Sequence, residues 1–296
     1  MTADWIAADW GTSNLRVWAM AADGSVLAEA TSDQGMGKLT RDSFEPAFLA
    51  LAGDWITGPT TVIACGMVGA RQGWAEAKYA RVPCPVTPKG FAKAATQDPN
   101  LQVHIIPGIC QDSPADVMRG EETQIAGFLA RNPGWDGILC LPGTHTKWVH
   151  ISADEVVSFQ TFMTGELFAA LTDSTVLRHT TTSDGWDDAA FETAVGDAMS
   201  RPERLAANFF SLRADGLLHD MQPDTARARL SGLLIGAELA GARPYWLGQQ
   251  IAVIGAGKIS SHYIKALALQ GVPATQVAGD SVTLAGLTAA YRRLKG

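Results

Sequence analysis

The stretch AADWGTSNLRVWAM, residues 7–20, decides the fold of this chain. The pattern predicts an apolar strand that ends at Asp9 and a turn that contains Gly11, Thr12 and Ser13. The sequence after the turn predicts a second strand. A P-loop or a dinucleotide-binding fold would place a helix after such a turn. The pattern therefore predicts a hairpin whose backbone N–H groups and hydroxyls form a cradle for phosphate oxygens.

Asp9 adds a carboxylate to this predicted cradle. Mg²⁺ in phosphate sites is held by one or two carboxylates and keeps several of its waters, so a single acid at a strand end is sufficient. We therefore predict that Asp9 is catalytic and binds the metal. The alternative is a hairpin in which the Asp only caps the turn.

A second stretch near the middle of the chain repeats the opening pattern. GILCLPGTHTKWVHIS, residues 137–152, is again strand, turn and strand, and Gly143 and Thr144 lie over the Gly and Thr of the first turn. His145 and Lys147 would supply positive charge in this second phosphate loop. The repetition favours a phosphate role for both turns and predicts two lobes of related architecture, residues 1–136 and 137–296.

Apolar periodicity predicts a mixed α/β fold in both lobes. The first lobe opens with three neighbouring antiparallel strands between Trp5 and Ala30. Further strands are predicted at 61–65, 103–108, 251–254 and 276–278, and helices at 44–55, 163–177, 231–244 and from about 281. The small residues spaced four apart in 231–244 predict close helix packing.

Composition restricts the partners. The chain has 296 residues, 47% hydrophobic content and a formal charge of -7, with no basic block for nucleic acid or an anionic membrane. The absence of a signal-peptide pattern and of a long apolar run predicts a cytoplasmic protein with small-molecule ligands. The four cysteines have no metal-ligand spacing and are predicted to be reduced.

The segment MRGEETQ predicts an acidic helix start. Glu121 and Glu122 in a first helical turn would stabilise the helix dipole. Beside Arg119 they would also offer a general base and a cation for a carboxylate, since repulsion between neighbouring acids raises one pKa. Both interpretations remain open from the sequence, and both glutamates are candidate catalytic residues.

Two glycine-rich stretches complete the candidate site. CGMVGARQGW contains Gly69, Arg71 and Trp74, and its Arg is suited to a bidentate grip on a carboxylate, although a solvated Arg in a flexible turn is an equal alternative. VIGAGKISSHY has neither P-loop nor dinucleotide spacing, and it joins a strand to a helix through residues 255–258. That joint suits an adenosine ring or a phosphate.

With these pieces in order, the chain resembles the sugar-kinase branch of the actin/hexokinase superfamily, and within it the 2-dehydro-3-deoxygalactonokinase family. The matching stretches run in the family's order along nearly the whole chain: DWGTSNLR, ACGMVGARQGW, IPGICQDSPADVMRGEETQ, LPGTHTKWV, TGEL, LSGLLIGAE, GAGKIS and VAGD. The resemblance implies two ribonuclease-H-like lobes with an active-site cleft between them. It also implies ATP-dependent phosphorylation of the 6-hydroxyl of 2-dehydro-3-deoxy-D-galactonate, in galactonate breakdown.

The resemblance assigns roles to individual residues. Asp9 would hold hydrated Mg²⁺, and Glu121 is slightly favoured over Glu122 as the base. ATP would be bound by Gly11, Thr12, Ser13, Gly143, Thr144, His145, Lys147, Gly255, Gly257 and Lys258. The sugar acid would be bound by Gly69, Arg71, Trp74, Arg119 and Glu166.

One departure and three alternatives stay open. The second phosphate loop of the superfamily commonly carries an Asp, whereas Leu141 and Pro142 precede the loop here, so Asp9 is expected to be the main metal carboxylate. A kinase for another sugar or sugar acid, an ATP-dependent switch and a non-catalytic sugar sensor are the competing functions. A homodimer is compatible with all of them.

Overall fold

The computed structural model describes residues 2–87, 90–255 and 257–296, and divides the chain into two compact units. Unit 1 comprises residues 1–136, 151–158 and 279–296, and unit 2 comprises residues 137–150 and 159–278. The break after residue 136 coincides with the predicted lobe boundary. Two segments differ from the prediction of a second lobe at 137–296, because residues 151–158 and 279–296 belong to unit 1.

The first part of the chain contains the predicted strands and helices, together with further short strands that the periodicity does not predict. They are β1 Trp5–Trp10, β2 Leu15–Met20, β3 Val26–Ser32, α1 Phe44–Ala52, β4 Thr60–Gly66, β5 Ala80–Arg81, β6 Cys84–Pro85, β7 Ala92–Lys93, β8 Leu101–Ile105, β9 Ile109–Asp112, β10 Ala115–Met118 and α2 Glu121–Arg131. The main sheet has the order β3-β2-β1-β4-β8-β7. Strands β1 to β3 form an antiparallel meander, and β4 and β8 run parallel to β1.

The rest of the chain forms a second sheet whose strands follow a corresponding spatial order. They are β11 Gly137–Leu141, β12 Thr146–Ser152, β13 Glu155–Phe162, α3 Thr164–Ser174, α4 Asp188–Ser200, α5 Leu205–Leu218, α6 Pro223–Gly241, α7 Arg243–Trp246, β14 Ile251–Ile254, α8 Gly257–Ala268, β15 Ala274–Val277 and α9 Gly279–Lys295. Strand order β13-β12-β11-β14-β15 corresponds to β3-β2-β1-β4-β8, and β14 and β15 are parallel to β11. The predicted duplicated α/β architecture is confirmed.

Alternation along β1 divides the core of unit 1 between the two faces of its sheet. Ile6 and Trp10 pack on one face with Phe44 and Phe48 of α1. The opposite face belongs to a second cluster that includes Trp5. Because side chains alternate along a strand, Asp9 lies on the same side of β1 as Trp5.

Helix α9 joins unit 1 through that second face. The ring of Tyr291 stacks on Trp5 with centroids 4.3 Å apart, and Leu287 is buried in the same cluster. Contact with α2 is equally close, since a Cβ at Gly127 would lie 1.8 Å from the carbonyl oxygen of Val282, and one at Gly286 would lie 1.9 Å from that of Thr123. These contacts explain why the C-terminal helix belongs to unit 1.

In unit 2, helices α4 and α6 pack through glycines. A Cβ at Gly232 would lie 2.5 Å from the carbonyl oxygen of Phe191, and one at Gly236 would lie 2.6 Å from that of Val195. Both glycines belong to the small-residue stripe of 231–244, whose predicted packing role is confirmed. The core beneath these helices includes Trp148 of β12 and Tyr263 of α8.

Candidate active site

Asp9 lies where three strands of unit 1 meet. It is opposite Arg16 of β2 and Cys65 of β4 in the sheet register. Its Oδ2 accepts a hydrogen bond from Nη2 of Arg16 at 2.8 Å, and the Cys65 thiol donates to Oδ1 at 3.7 Å. The guanidinium also contacts Oδ1 of Asp280, at the start of α9, at 2.5 Å. Asp9 is therefore a partly exposed carboxylate, 24% accessible, held in a defined orientation.

The turn predicted to bind phosphate in unit 1 is held by residues 35–37, a segment to which the sequence analysis gave no role. Met36 N donates to the carbonyl oxygen of Gly11 at 3.0 Å, and Gly37 N donates to that of Thr12 at 2.9 Å. Gly35 fits beneath the turn because a Cβ there would lie 2.2 Å from the carbonyl carbon of Ser13. Thr12 and Ser13 are exposed residues. Their positions leave the turn accessible to a ligand.

The N-terminus of α2 brings the two predicted glutamates to the same region. Gly120 has a positive φ of 110°, and its N–H donates to Oε2 of Glu122 at 2.6 Å. Arg119 N donates to Oε2 of Glu121 at 3.0 Å. A Cβ at Gly120 would lie only 3.5 Å from Cα of Gly66, so α2 begins beside the end of β4.

The two glutamates have different environments. Glu122 is fully buried, and burial, reinforced by the neighbouring Glu121, raises its pKa to about 8. Its Oε1 accepts a hydrogen bond from Thr123 at 3.0 Å. Burial, Asp9 and Glu122 together raise the pKa of the Cys65 thiol, which therefore stays protonated between the two acids. Glu121 is only partly buried and is the better placed of the two glutamates to meet a ligand.

Arg119 is the best-supported candidate for the substrate carboxylate. Its guanidinium lies 4.3 Å from the centroid of the Tyr79 ring, and Nη2 donates to the carbonyl oxygen of Ala77 at 2.8 Å. Nε and Nη1 are buried without a hydrogen-bond partner among the residues described. Gly69 makes room for this side chain, since a Cβ there would lie 2.7 Å from Nη1.

Arg71 and Trp74, the other substrate candidates of the glycine-rich segment 65–74, have environments unlike that of Arg119. Arg71 is 82% exposed and its Nε is 3.6 Å from Oε1 of Glu76, a loose surface pair. Trp74 is buried against Trp10 and Phe44, and its Nε1 donates to the carbonyl oxygen of Ala95 at 3.2 Å. The rings and the polar atom of Trp74 thus contact the core in this structure, and its substrate role stays a prediction.

The second turn predicted to bind phosphate is packed against the start of α3. A Cβ at Gly165 would lie 2.2 Å from the carbonyl oxygen of Gly143, and Glu166 N donates to that of Thr144 at 2.9 Å. Nε2 of His145 and Oε2 of Glu166 are 2.5 Å apart. The structure thus joins a residue predicted for ATP to one predicted for the sugar acid.

Lys147 occupies a different environment from the turn itself. It lies in β12, is 5% exposed, and donates from Nζ to the hydroxyl of Thr161 at 2.8 Å. It does not line the unit 2 cavity described below. The phosphate contact by Lys147 stays a prediction.

A cavity of about 1120 Å³ in unit 2 unites the two predicted nucleotide segments. Its wall includes Gly143 and Thr144 of the turn together with Gly257 and Lys258 at the start of α8. Gly257 has a φ of 73°, a left-handed conformation that glycine adopts without strain. Gly255 lies outside the wall, and a Cβ there would lie 2.5 Å from the buried Ser260 hydroxyl.

Aromatic residues that the sequence analysis missed form another part of this wall. The rings of Trp186 and His262 are parallel, with centroids 4.0 Å apart. The guanidinium of Arg227 lies 5.0 Å from the centroid of the Phe168 ring. No periodicity could have identified these contacts, because each pair joins segments that are distant along the chain.

A buried carboxylate connects the elements around the cavity. Glu238 of α6 accepts hydrogen bonds from Trp148 Nε1 at 2.7 Å, from the Tyr263 hydroxyl at 2.6 Å and from the Thr164 hydroxyl. Burial raises its pKa to about 7, although these hydrogen bonds act in the opposite direction. The Tyr263 hydroxyl is also 2.8 Å from that of Thr146. One side chain therefore links β12, α3, α6 and α8.

Metal and membrane features of the described residues are limited. Across residues 2–87, 90–255 and 257–296, no group of three or more His, Cys, Asp or Glu side chains is arranged to hold a metal ion. In the same residues, no helix combines the length and apolar character needed to cross a membrane. The four cysteines are free, as predicted.

The duplicated sheet order, with a strand-turn-strand unit at the start of each half, defines the actin-like ATPase fold. Structures of low sequence identity share this fold, including component A of (R)-2-hydroxyglutaryl-CoA dehydratase from Acidaminococcus fermentans, 11% identical with a TM-score of 0.56, covering 99% of both chains. Residues 9–290 match the family described as 2-keto-3-deoxy-galactonokinase. The chain belongs to that family.

Relatives of known name cover almost the entire chain. A probable 2-dehydro-3-deoxygalactonokinase, DgoK1 of Rhizobium meliloti strain 1021, is 40% identical over 302 residues, covering 99% of this chain and 98% of the relative. The 2-dehydro-3-deoxygalactonokinase of Escherichia coli K12 is 34% identical over 290 residues, covering 97% of each. The crystal structure of a putative 2-dehydro-3-deoxygalactonokinase from Sinorhizobium meliloti has a TM-score of 0.90 and 38% identity, and covers 98% of this chain and 99% of that one.

Proposed function

We propose that this protein transfers the γ-phosphoryl group of ATP to the 6-hydroxyl of 2-dehydro-3-deoxy-D-galactonate, within galactonate breakdown in the cytoplasm. The names of its relatives support this activity, because they cover 97% to 99% of the chain. The observation that carries the proposal for the site is the meeting of Asp9, Cys65 and the Glu121–Glu122 pair at the ends of β1 and β4 and the start of α2.

The cavity of unit 2 is the proposed nucleotide site. Its wall supplies backbone at Gly143, Thr144 and Gly257, which can approach phosphate oxygens closely because small residues leave the N–H groups uncovered. Lys258 adds a positive charge at the start of α8. The aromatic faces nearby suit a flat base.

Asp9 fits the requirements of a hydrated Mg²⁺ ion. Mg²⁺ prefers oxygen ligands and keeps several waters, so one partly exposed carboxylate suits it better than a closed cage of protein ligands. Bound there, the ion would neutralise charge on the phosphates of ATP. Arg16 holds the Asp9 carboxylate in place from the side of β2.

The transfer itself needs one proton acceptor. The 6-hydroxyl oxygen forms a bond to the γ-phosphorus, the bond from that phosphorus to the bridging oxygen of ATP breaks, and the hydroxyl proton passes to Glu121. The products are ADP and the 6-phosphate. We assign the base to Glu121 because it is partly exposed, whereas burial raises the pKa of Glu122 to about 8 and so favours its protonated form at neutral pH.

Arg119 is the proposed cation for the substrate carboxylate. A guanidinium matches a carboxylate by a pair of parallel hydrogen bonds, and Arg119 has two N–H-bearing atoms without partners in the described chain. Those atoms are covered in this structure, so binding would require the segment around Gly69 to open. Arg71, which is 82% exposed and loosely paired with Glu76, is the weaker candidate.

The function is tested by coupled ADP release with Mg·ATP and a panel of acceptors. The panel contains 2-dehydro-3-deoxygalactonate, its gluco epimer, galactonate and neutral hexoses. We expect strong preference for the galacto keto acid. Phosphorylation of the gluco epimer alone would correct the substrate, and no ADP release with any acceptor would contradict the kinase proposal.

The carboxylate assignment is tested with a matched pair of variants. Arg119→Lys should raise KM for the sugar acid at least about tenfold with little change in KM for ATP, because an ammonium cannot make the paired contact. Arg71→Lys is the control and should leave both constants within about twofold. Equal losses for both substrates in Arg119→Lys would indicate a structural role.

A further inference from the structure

Helix α5 is apolar on two opposite sides. Its inner side packs in unit 2, where Leu212 is fully buried and Leu205 and Phe209 contact the same cluster. A helix at the surface of a monomer normally presents polar residues on its outer side. The outer side of α5 does not follow this rule.

The outer side forms a continuous apolar stripe. Phe210, Leu217 and Leu218 are 66%, 64% and 74% exposed, and Ala206 and Ala207 are exposed beside them. At 100° per residue these side chains fall within a sector of about 120°, which is the width of a core-facing stripe. Exposed apolar surface of this kind, concentrated on one helix, is typical of a protein interface.

The stripe is complementary in side-chain size to the same stripe of a second copy that runs antiparallel to it. When two copies of α5 run antiparallel with the two-fold axis at the level of Leu212, Phe210 lies opposite Ala214. Ala207 then lies opposite Leu217, and Ala206 lies opposite Leu218. Every bulky side chain faces a small one, which is the condition for close packing of two helices across a two-fold axis.

The charges at the ends of the helix obey the same symmetry. Arg204 directly precedes α5, Asp220 follows its end, and both are exposed. The same two-fold operation places Arg204 of one copy at the level of Asp220 of the other. Opposite charges at the rim of an interface favour this orientation over the parallel one.

We propose that a second copy of this chain docks on the outer side of α5 and forms an antiparallel, two-fold symmetric dimer. The occupant is a second copy because size and charge match the helix against itself. This inference is independent of the proposed activity, since it rests on residues outside the candidate site.

Measuring the oligomeric state tests whether the outer side of α5 forms a dimer interface. Light scattering coupled to gel filtration should give twice the chain mass of 31.3 kDa for the natural protein. Phe210→Glu and Leu217→Glu should each give one chain mass. Val176→Glu and Leu247→Glu alter apolar residues that are each 56% exposed outside α5, and should remain dimeric. Circular dichroism and kinase activity of the monomeric variants verify that they fold.

Two results would overturn the surface assignment. A natural protein that runs as one chain at high concentration would leave α5 to a different partner. A dimer that survives both α5 substitutions would place the interface elsewhere on the molecule.

Cysteine pairing tests the antiparallel register. Ala206→Cys and Leu218→Cys are prepared separately, mixed and oxidised with copper phenanthroline, with the natural protein treated in parallel as the control for its own cysteines. A disulfide between chains is expected only in the mixture, since identical positions in the antiparallel pair are about 18 Å apart along the axis. Cross-linking of either variant alone, or of none, would overturn the register.

Discussion

Nη2 of Arg16 donates a hydrogen bond to Oδ2 of Asp9 at 2.8 Å, directly across the β1–β2 pair. The same guanidinium contacts Asp280, so a strand residue and a residue of the C-terminal helix fix the orientation of one catalytic candidate. A positioned carboxylate binds an ion better than a mobile one, because less freedom is lost on binding.

Asp9→Asn should keep the fold and lose the metal. The amide retains the shape of the side chain but removes the charge, so the Mg²⁺ concentration for half-maximal activity should rise at least about tenfold. Activity across a Mg²⁺ titration measures this effect. Asp23→Asn, at a surface turn of the same unit, is the control, and an unchanged Mg²⁺ dependence in Asp9→Asn would contradict the metal role.

The variants Glu121→Gln and Glu122→Gln should distinguish which of the two glutamates acts as the base. If Glu121 accepts the hydroxyl proton, its replacement should lower kcat by roughly 10²-fold to 10⁴-fold. Glu122→Gln should have the smaller effect. Steady-state kinetics with saturating ATP distinguish the two, and the reverse order of losses would transfer the role to Glu122.

Glu122 should also make stability depend on pH. Its pKa is near 4.5 when unfolded and rises to about 8 on folding because of burial. Between these two pKa values the native state retains a proton that the unfolded chain has released. The contribution of Glu122 to the free energy of unfolding therefore falls as pH rises, and it is constant above about pH 8. The change is a few kcal/mol at most.

Urea unfolding at several pH values measures this contribution. The free energy of unfolding of Glu122→Gln should decline less between about pH 5 and pH 8 than that of the natural protein. Glu29→Gln, which alters an exposed glutamate of β3, should follow the natural protein. Parallel curves for all three proteins would show that Glu122 titrates normally.

Glu238 and Tyr263 should be energetically coupled. Tyr263→Phe removes one hydrogen bond to the buried carboxylate and should cost roughly 1–3 kcal/mol of unfolding free energy. Glu238→Ala leaves three donors without an acceptor and should cost more. The double variant should lose less than the two single losses combined, whereas strict additivity would argue against the contact. Glu203→Ala, on the exposed surface of unit 2, is the control.

Two helical glycines should respond oppositely to alanine. Gly286→Ala should destabilise by roughly 1–3 kcal/mol, because its Cβ would lie 1.9 Å from the carbonyl oxygen of Thr123 and would force α2 and α9 apart. Gly196→Ala meets nothing within 4 Å and should stabilise α4 by roughly 0.5–1 kcal/mol. Urea midpoints compare them, and equal shifts would contradict the close α2–α9 contact.

Short-range signals explain what the sequence could predict. The hairpin after Asp9, the helix beginning at Glu121 and the strand Ile251–Ile254 are each encoded by neighbouring residues, and all three are present. The pairing of Arg16 with Asp280 and the contacts of Glu238 join segments far apart along the chain, so no periodicity reveals them. The burial of Trp74 against Trp10 could not be predicted either, because a glycine-rich loop looks alike whether its aromatic residue faces a ligand or the core.

The membership of α9 in unit 1 has a consequence for synthesis. As the chain leaves the ribosome, residues 1–136 emerge first, yet the surface around Trp5 stays uncovered until Leu287 and Tyr291 have emerged. Unit 2, residues 137–150 and 159–278, emerges in the interval and can fold before unit 1 is complete. The unit begun first is therefore finished last, and its apolar face is exposed to aggregation throughout that delay.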